Sequence, residues 1–215
     1  MKKLAVILLV LTSIVLISIA WLQFSATDKQ TKALYFSKKS ATVTIKAGAF
    51  KKLKIKSGDA KMFISKNNFN KEIFFLIDMS LPSNQNRFFI YDLMKDTISS
   101  SGLVTHGRCN QRWLEGRKYS NTEGSGCTSL GKYKIGNFYI GRFGLAFKLY
   151  GLEATNNNAF ERFVVLHSHE CVPETEVSDA ICQSDGCPTV SPNFLRQLEP
   201  MIKNSEKPVL LWIFN

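Results

Sequence analysis

The chain has 215 residues, 45% of them hydrophobic and 21% charged. That balance excludes a disordered or low-complexity polymer and leaves room for one domain with a sizeable core. Lys and Arg exceed Asp and Glu by 11, with much of the excess before Lys61 and between Arg108 and Lys118. No nucleic-acid motif accompanies this charge, so the expected anionic partners are envelope polymers or lipid headgroups, not nucleic acid.

In chain order, "MKK" precedes an uncharged apolar run from Leu4 to about Phe24. A basic n-region and an apolar h-region read as an export signal. The run is also long enough to span a bilayer. Ser18-Ile19-Ala20 offers a cleavage site, while Trp21 and Phe24 suit an interfacial anchor. Residues 1–24 are thus a signal peptide or a membrane anchor, and the domain is exported in either case. Residues 25–42, rich in Lys, Ser and Thr, read as a tether, with the domain occupying 43–215. "ATVTIKAG" alternates like a strand, and "GDAKMFISKNNF" carries Ala60, Phe63 and Ile64 at helical spacing behind Asp59 as a cap. "EIFFLIDMS" and "RFFIYDL" predict strands joined by a Pro- and Asn-containing loop, and "DTISSSGLVTHG" ends in another. Strands follow in "KYKIGNFYIG", "FGLAFKLYGL" and "ERFVVLHSH", with bends at Gly136, Gly141, Gly144 and Gly151. Phe194, Leu195, Leu198 and Ile202 mark one face of a helix capped by Ser191 with Pro192 at its first position. "KPVLLWIFN" closes the chain as a buried strand. The fold class is mainly β (α+β), with a few helices.

Five cysteines stand at 109, 127, 171, 182 and 187. Export permits disulfides, and an odd count leaves one thiol over. The pairs closest in sequence are Cys109 with Cys127 and Cys171 with Cys182, an arrangement that leaves Cys187 free. Sequence alone does not fix that connectivity; closing 171 to 182 would stabilise by about 3 kcal/mol in the chain-entropy account. "CQSDGCPTVSP" therefore reads as part of a disulfide framework, half a zinc site with Cys171, Cys182, Cys187 and a His, or a nucleophile on a tight turn. The nucleophile reading needs a base, a sharp turn and N–H donors for an oxyanion. Gly186 permits the turn, and the N–H groups of Gly186 and Cys187 are the candidate donors. His106, His167 and His169 are the only histidines; His167 ends an apolar run, and His169 shares its face if the strand continues. A His-paired thiol has a lowered pKa. No G-x-S-x-G supports a serine nucleophile.

"VVLHSH" followed by "SDGCPTVSP", with the collinear blocks "FLIDMSLPSNQNRFFIYDL", "SGLVTHGRCN" and "GCTSLGKYKIGNFYIGRFGLAFKLYGLEATNNNAFERFVVLHSHECVP", resembles the YkuD-like L,D-transpeptidase catalytic domain. The closer resemblance is to the murein L,D-transpeptidase branch of Bacteroidetes-type bacteria, from about Phe69 to the C-terminus. It implies a β-sandwich or barrel, Cys187 as nucleophile towards a peptidoglycan stem peptide, and His167 as base with its other ring nitrogen on a backbone carbonyl. It further implies Gly186 and Cys187 as oxyanion donors and Ser184 as the residue shaping the turn. His106, Tyr139, Gly141, Arg162, Ser168, His169 and Asp185 form the expected substrate-binding set. Cys182 would staple the segment between base and nucleophile by pairing with Cys171.

Two positions depart from the branch: Asp185 stands where Trp is usual, and Ser168 where many members have Gly. An acid beside the nucleophile disfavours the thiolate or holds a substrate amine. The resemblance implies a bacterial periplasmic or cell-envelope acyltransferase working through a thioester, with no cofactor and no metal. The rivals are an L,D-carboxypeptidase or other hydrolase of the same fold and a catalytically silent, disulfide-stapled wall-binding module.

Overall fold

Residues 47–215 are described by the structure, a computed structural model. The expected signal or anchor (1–24) and tether (25–42) lie outside the described residues. Among the described residues, no helix is long and apolar enough to cross a membrane.

In chain order the elements are α1 (Ala47–Lys66), β1 (Ile73–Asp78), β2 (Phe88–Asp92), β3 (Thr97–Gly102), β4 (Gly131–Gly141), β5 (Gly144–Gly151), β6 (Val165–Ser168), β7 (Thr189–Val190), α2 (Pro192–Lys203) and β8 (Leu210–Phe214). The strands form one mixed sheet in the order β3-β2-β1-β8-β4-β5-β6-β7. The mainly β class expected from the strand-rich sequence is the class observed.

The runs "IFFLID" and "LLWIF" lack polar alternation, so both of their faces must be covered. They become β1 and β8, parallel neighbours near the middle of the sheet, buried along their whole length. On one face Leu53, Ala60 and Ile64 of α1 pack on Phe74, Leu76, Phe89, Leu210 and Trp212. On the other, Phe194, Leu195 and Leu198 of α2 join Phe75, Ile77, Phe88, Leu211 and Ile213. Each fully buried side chain of this kind contributes about 1.5–3 kcal/mol. α2 starts where the sequence places it: Ser191 is the N-cap, its hydroxyl accepting from the Phe194 N–H, and Pro192 follows.

Three local expectations change. Asp59 does not cap a helix, because α1 runs from Ala47 and Asp59 lies in its interior. The buried stripe Leu53–Ser57–Ala60–Ile64 keeps helical spacing, but Ser57 and Ala60 are too small to advertise it. The last two residues of "ATVTIKAG" belong to this helix, and the rest lie outside the described residues. In "DTISSSGLVTHG" the strand occupies the first half, Thr97–Gly102. The following segment runs beside the Ser184–Val190 stretch through bridges at Val104 and Gly107. That contact brings Thr105 and His106 to the back of the Cys187 turn.

Candidate active site

Cys109 is joined to Cys127 and Cys171 to Cys182, and Cys187 is the free cysteine. The bond between Cys171 and Cys182 removes the thiolates on which the zinc alternative depended. Cys187 follows a turn that only glycine fits easily: Gly186 has φ +110°, and a Cβ there would stand 2.7 Å from the Cys127 carbonyl oxygen. Ser184 closes the turn, its hydroxyl donating to the Cys187 carbonyl at 2.7 Å and accepting the Gly186 N–H at 3.2 Å. The Gly186 N–H is therefore already engaged, and the glycine's contribution here is conformational. The Cys187 N–H is the remaining candidate oxyanion donor on this turn. Thr105 Oγ1 and Thr189 Oγ1 also lie within donating distance of the Cys187 carbonyl, at 3.2 and 3.4 Å, so three hydroxyls surround the carbonyl of the residue that carries the thiol.

His167 and Cys187 reach the site on adjacent parallel strands. His167 is opposite Thr189, which places Cys187 level with Val165, and the Val165 N–H points at Cys187 Sγ at 3.4 Å. The thiol in turn faces the Phe163 carbonyl at 3.7 Å. Phe163 has φ +56° and is 82% exposed, a strained backbone of the kind that collects at working sites. The His167 ring is buried, with Nδ1 3.0 Å from the Ser168 carbonyl oxygen and Nε2 3.1 Å from Thr189 Oγ1. The carbonyl accepts, so Nδ1 carries the proton and Nε2 is the basic nitrogen. In this conformation Nε2 is engaged by Thr189 and the thiol by the Val165 and Phe163 backbone. A rotation about the Cys187 Cα–Cβ bond is what would turn the sulfur towards the ring.

Electrostatics keep both groups uncharged at neutral pH. Burial pushes the Cys187 thiol up, and Asp185 adds to that, while the Val165 N–H and the Arg162 guanidinium work against it. Burial lowers His167, opposed by its bond to the Ser168 carbonyl. The resting pair is a thiol beside a neutral imidazole, the arrangement for general-base activation. Asp185 itself is exposed and paired with Arg108 Nε at 2.7 Å. Removing its charge in Asp185→Asn should accelerate iodoacetamide alkylation of Cys187 roughly threefold near pH 8, the scale of one exposed charge. An unchanged pH–alkylation curve would rule out any influence of Asp185 on the thiol.

The remaining expected residues fall into two groups. Arg162, half-buried, donates to the carbonyls of Ser120 (2.8 Å) and Cys127 (2.6 Å) and to Ser125 Oγ (3.2 Å), so it ties the Cys127 loop against the Gly186 turn. Tyr139 is opposite Ala146, which is opposite His167, so the three share one row of the sheet with a small residue between two rings. Gly141 leaves room for the Tyr139 ring, whose Cε2 a Cβ would approach at 2.9 Å. His169 follows the end of β6, its Nδ1 accepting from the Cys171 N–H. His106, expected among the substrate-binding residues, is 6% exposed and lies on the segment that bridges to Ser184 through Gly107. Its Nδ1 accepts from the buried Arg87 Nη2 at 3.1 Å, and burial, with Arg87 and Arg117, holds its pKa down at about 4.

Sequence reasoning missed Thr189, Thr105, Val165, Phe163, Arg108 and Phe143. Phe143, at the β4–β5 tip, stacks on His167 at 5.3 Å and meets His169 edge-on at 5.3 Å. Thr189, two residues after the cysteine, was the one with a readable signal, a hydroxyl at alternating spacing from the nucleophile. The others act through backbone groups or long-range pairing that a linear sequence does not display.

No curated protein matches the chain. Among solved structures it is similar to the helical cell shape determining protein Pgp2 (K307A mutant) from Campylobacter jejuni, with 13% identity, 68% of this chain and 48% of that chain covered, and a TM-score of 0.45. It is also similar to the L,D-transpeptidase (residues 123–326) from Xylanimonas cellulosilytica DSM 15894, with 12% identity, 67% and 61% covered, and a TM-score of 0.37. An L,D-transpeptidase from Mycobacterium smegmatis gives 11%, 67% and 59%, and a TM-score of 0.40. The chain spans about half to three fifths of the length of these proteins. Residues 44–212 match the family described as the L,D-transpeptidase catalytic domain. The chain belongs to that family.

Proposed function

We propose that this protein is a cysteine acyltransferase of the bacterial cell envelope, an L,D-transpeptidase acting on peptidoglycan stem peptides through a thioester. The observation that carries this reading is the single free thiol, Cys187, on a glycine turn one strand away from a neutral His167 whose Nδ1 is fixed by a backbone carbonyl. Residues 43–215 are assigned to the catalytic unit, and the apolar run before residue 25 to export or anchoring.

The chemistry runs in two half-reactions. His167 Nε2 takes the thiol proton as Cys187 Sγ attacks the carbonyl at the L-centre of the third stem residue. The Cys187 N–H faces the developing oxyanion. Collapse breaks the amide bond, and His167 returns the proton to the leaving D-amino acid amine, which leaves an acyl thioester on Cys187. An acceptor amine then attacks the thioester, loses its proton to His167 and forms a new amide as the thiolate leaves and is reprotonated. Water in place of the amine gives a carboxylate and makes the enzyme an L,D-carboxypeptidase.

The test is incubation of the oxidised protein with a tetrapeptide muropeptide and, separately, with a carbapenem, followed by intact-mass and peptide mapping. An adduct confined to Cys187, absent in Cys187→Ala, is expected. A cross-linked or amine-exchanged product identifies the transferase, and a tripeptide alone identifies the hydrolase. A free Cys187 that stays unmodified by either reagent, with no muropeptide product, would replace the enzyme by the silent wall-binding module.

A further inference from the structure

The sheet face that carries His167 and Cys187 continues towards α1 as an ordered row of basic and aromatic side chains. Trp212 on β8 is opposite Lys132 on β4. Lys134, next on the same face, is opposite Tyr150 on β5. Lys148, also on that face of β5, is opposite Val165 on β6, the residue whose N–H meets the Cys187 thiol. The row crosses β8, β4, β5 and β6 to β7, about 19 Å at ordinary strand spacing.

The aromatic part of this row is built, not scattered. Tyr150 and Phe160 stack with ring centres 4.9 Å apart and planes within 11°. Lys134 Nζ lies 4.8 Å from the Tyr150 centre and Lys148 Nζ 5.6 Å from that of Phe160. Phe160 is nevertheless 41% exposed. A Cβ at Gly136 would stand 2.3 Å from Tyr150 Cε2, so the glycine is what lets the ring lie across β4. Lys132 is paired with Glu153, but no carboxylate among the described residues forms an ion pair with Lys134 or Lys148. At the α1 end the row opens into a cleft of about 330 Å³ lined by Phe63, Lys66, Lys132 and Trp212 together with Asp59, Met62 and Asn67. Lysines on a strand face are ordinarily just solvated; a solvated face does not need a glycine-cleared pair of stacked, half-open rings beneath them.

We infer that this track is a docking surface for an uncross-linked peptidoglycan strand, a glycan with carboxylate-bearing stem peptides, and that it leads one stem to Cys187; the inference rests on the proposed function above. The exposed edge of the Tyr150–Phe160 stack offers apolar contact to the C–H bonds of sugar rings. The ammonium groups of Lys134 and Lys148, held over the rings without a carboxylate ion pair among the described residues, supply the charge that stem carboxylates require.

The experiment is co-sedimentation of the full chain with isolated peptidoglycan sacculi over a salt series, with melting curves to certify each variant as folded. Lys134→Glu with Lys148→Glu is expected to weaken binding at least about tenfold, and Phe160→Ala to weaken it without changing the salt dependence. The control Arg196→Glu with Lys203→Glu makes the same charge change on α2, which covers the other face, and should bind as the parent does. Binding by the Lys134/Lys148 variant equal to the parent's, or an equal loss in the α2 control, overturns the inference. So does displacement of sacculi by duplex DNA at matched charge with Phe160 irrelevant, which marks a general polyanion patch. Carbapenem labelling of Cys187 is scored in parallel: lost labelling with intact, Lys134-dependent sedimentation sinks the enzyme reading alone, and the reverse sinks the docking surface alone.

Discussion

Replacing His167 by alanine is expected to slow acylation of Cys187 by about 10²–10⁴-fold, the usual contribution of a positioned general base, and to change the shape of its pH dependence. Burial holds His167 below the ordinary imidazole range, so Nε2 stays unprotonated through neutrality and the parent rate falls only on the acid side. Burial also holds the Cys187 thiol above its ordinary range, so without a base the reaction depends on the small thiolate fraction. The parent should therefore show a plateau across neutral pH. His167→Ala should climb about tenfold per pH unit into the alkaline region, because thiolate fraction alone sets its rate. Stopped-flow measurement of carbapenem or iodoacetamide consumption from pH 5 to 10 distinguishes them. Parallel profiles in the two proteins would mean that His167 is not the base.

The second large effect is on stability. Arg87 is fully buried and forms no ion pair among the described residues: Nε and Nη2 donate to the Val104 carbonyl at 2.9 and 2.7 Å, Nη1 to the Leu81 carbonyl at 3.2 Å, and Nη2 to His106 Nδ1. Desolvation lowers its pKa to about 9, yet it remains charged at neutral pH. This side chain joins the start of β2 to the segment whose Thr105 holds the Cys187 carbonyl. Arg87→Leu removes both donors to the Val104 carbonyl and the donor to His106 Nδ1, while the Leu81 carbonyl keeps its bond from Arg117 Nη1 at 2.6 Å. The substitution should cost about 3–5 kcal/mol in urea unfolding. His106 adds a pH signature with a defined sign. Its folded pKa, at about 4, is depressed below the ordinary histidine value of 6.5, so the unfolded chain takes up a proton that the folded one refuses. Stability should fall by about 2 kcal/mol between pH 7.5 and 4.5, and His106→Gln should flatten that fall. A loss under 1 kcal/mol on replacing Arg87, or an unaltered pH slope without His106, would show that water replaces these contacts.

Much of the site lay open in the sequence because its requirements are local. A glycine before the cysteine is needed where φ is positive, Ser184 sits within hydroxyl reach of the Cys187 carbonyl, and Ser191 with Pro192 starts a helix wherever they precede an apolar stripe. The short separations from Cys109 to Cys127 and from Cys171 to Cys182 likewise favoured the two bonds observed, leaving Cys187 as the free thiol. The N-terminal half of α1 was hidden, since Leu53 is its only large buried side chain and lysines dominate the rest.

What the sequence determined by itself was therefore chemical identity and short-range geometry: which thiol could be free, which histidine ends a buried strand, and where turns and caps fall. The tertiary structure decided the pairings between distant segments. The parallel register of β6 and β7 sets Thr189, and not the thiol, against His167 Nε2. The burial of Arg87 against His106 makes that imidazole a hydrogen-bond acceptor with a depressed pKa. The ion pair with Arg108 determines what Asp185 presents beside the nucleophile. These follow from burial, hydrogen-bond satisfaction and charge proximity, quantities that exist only once segments far apart in the chain share one space.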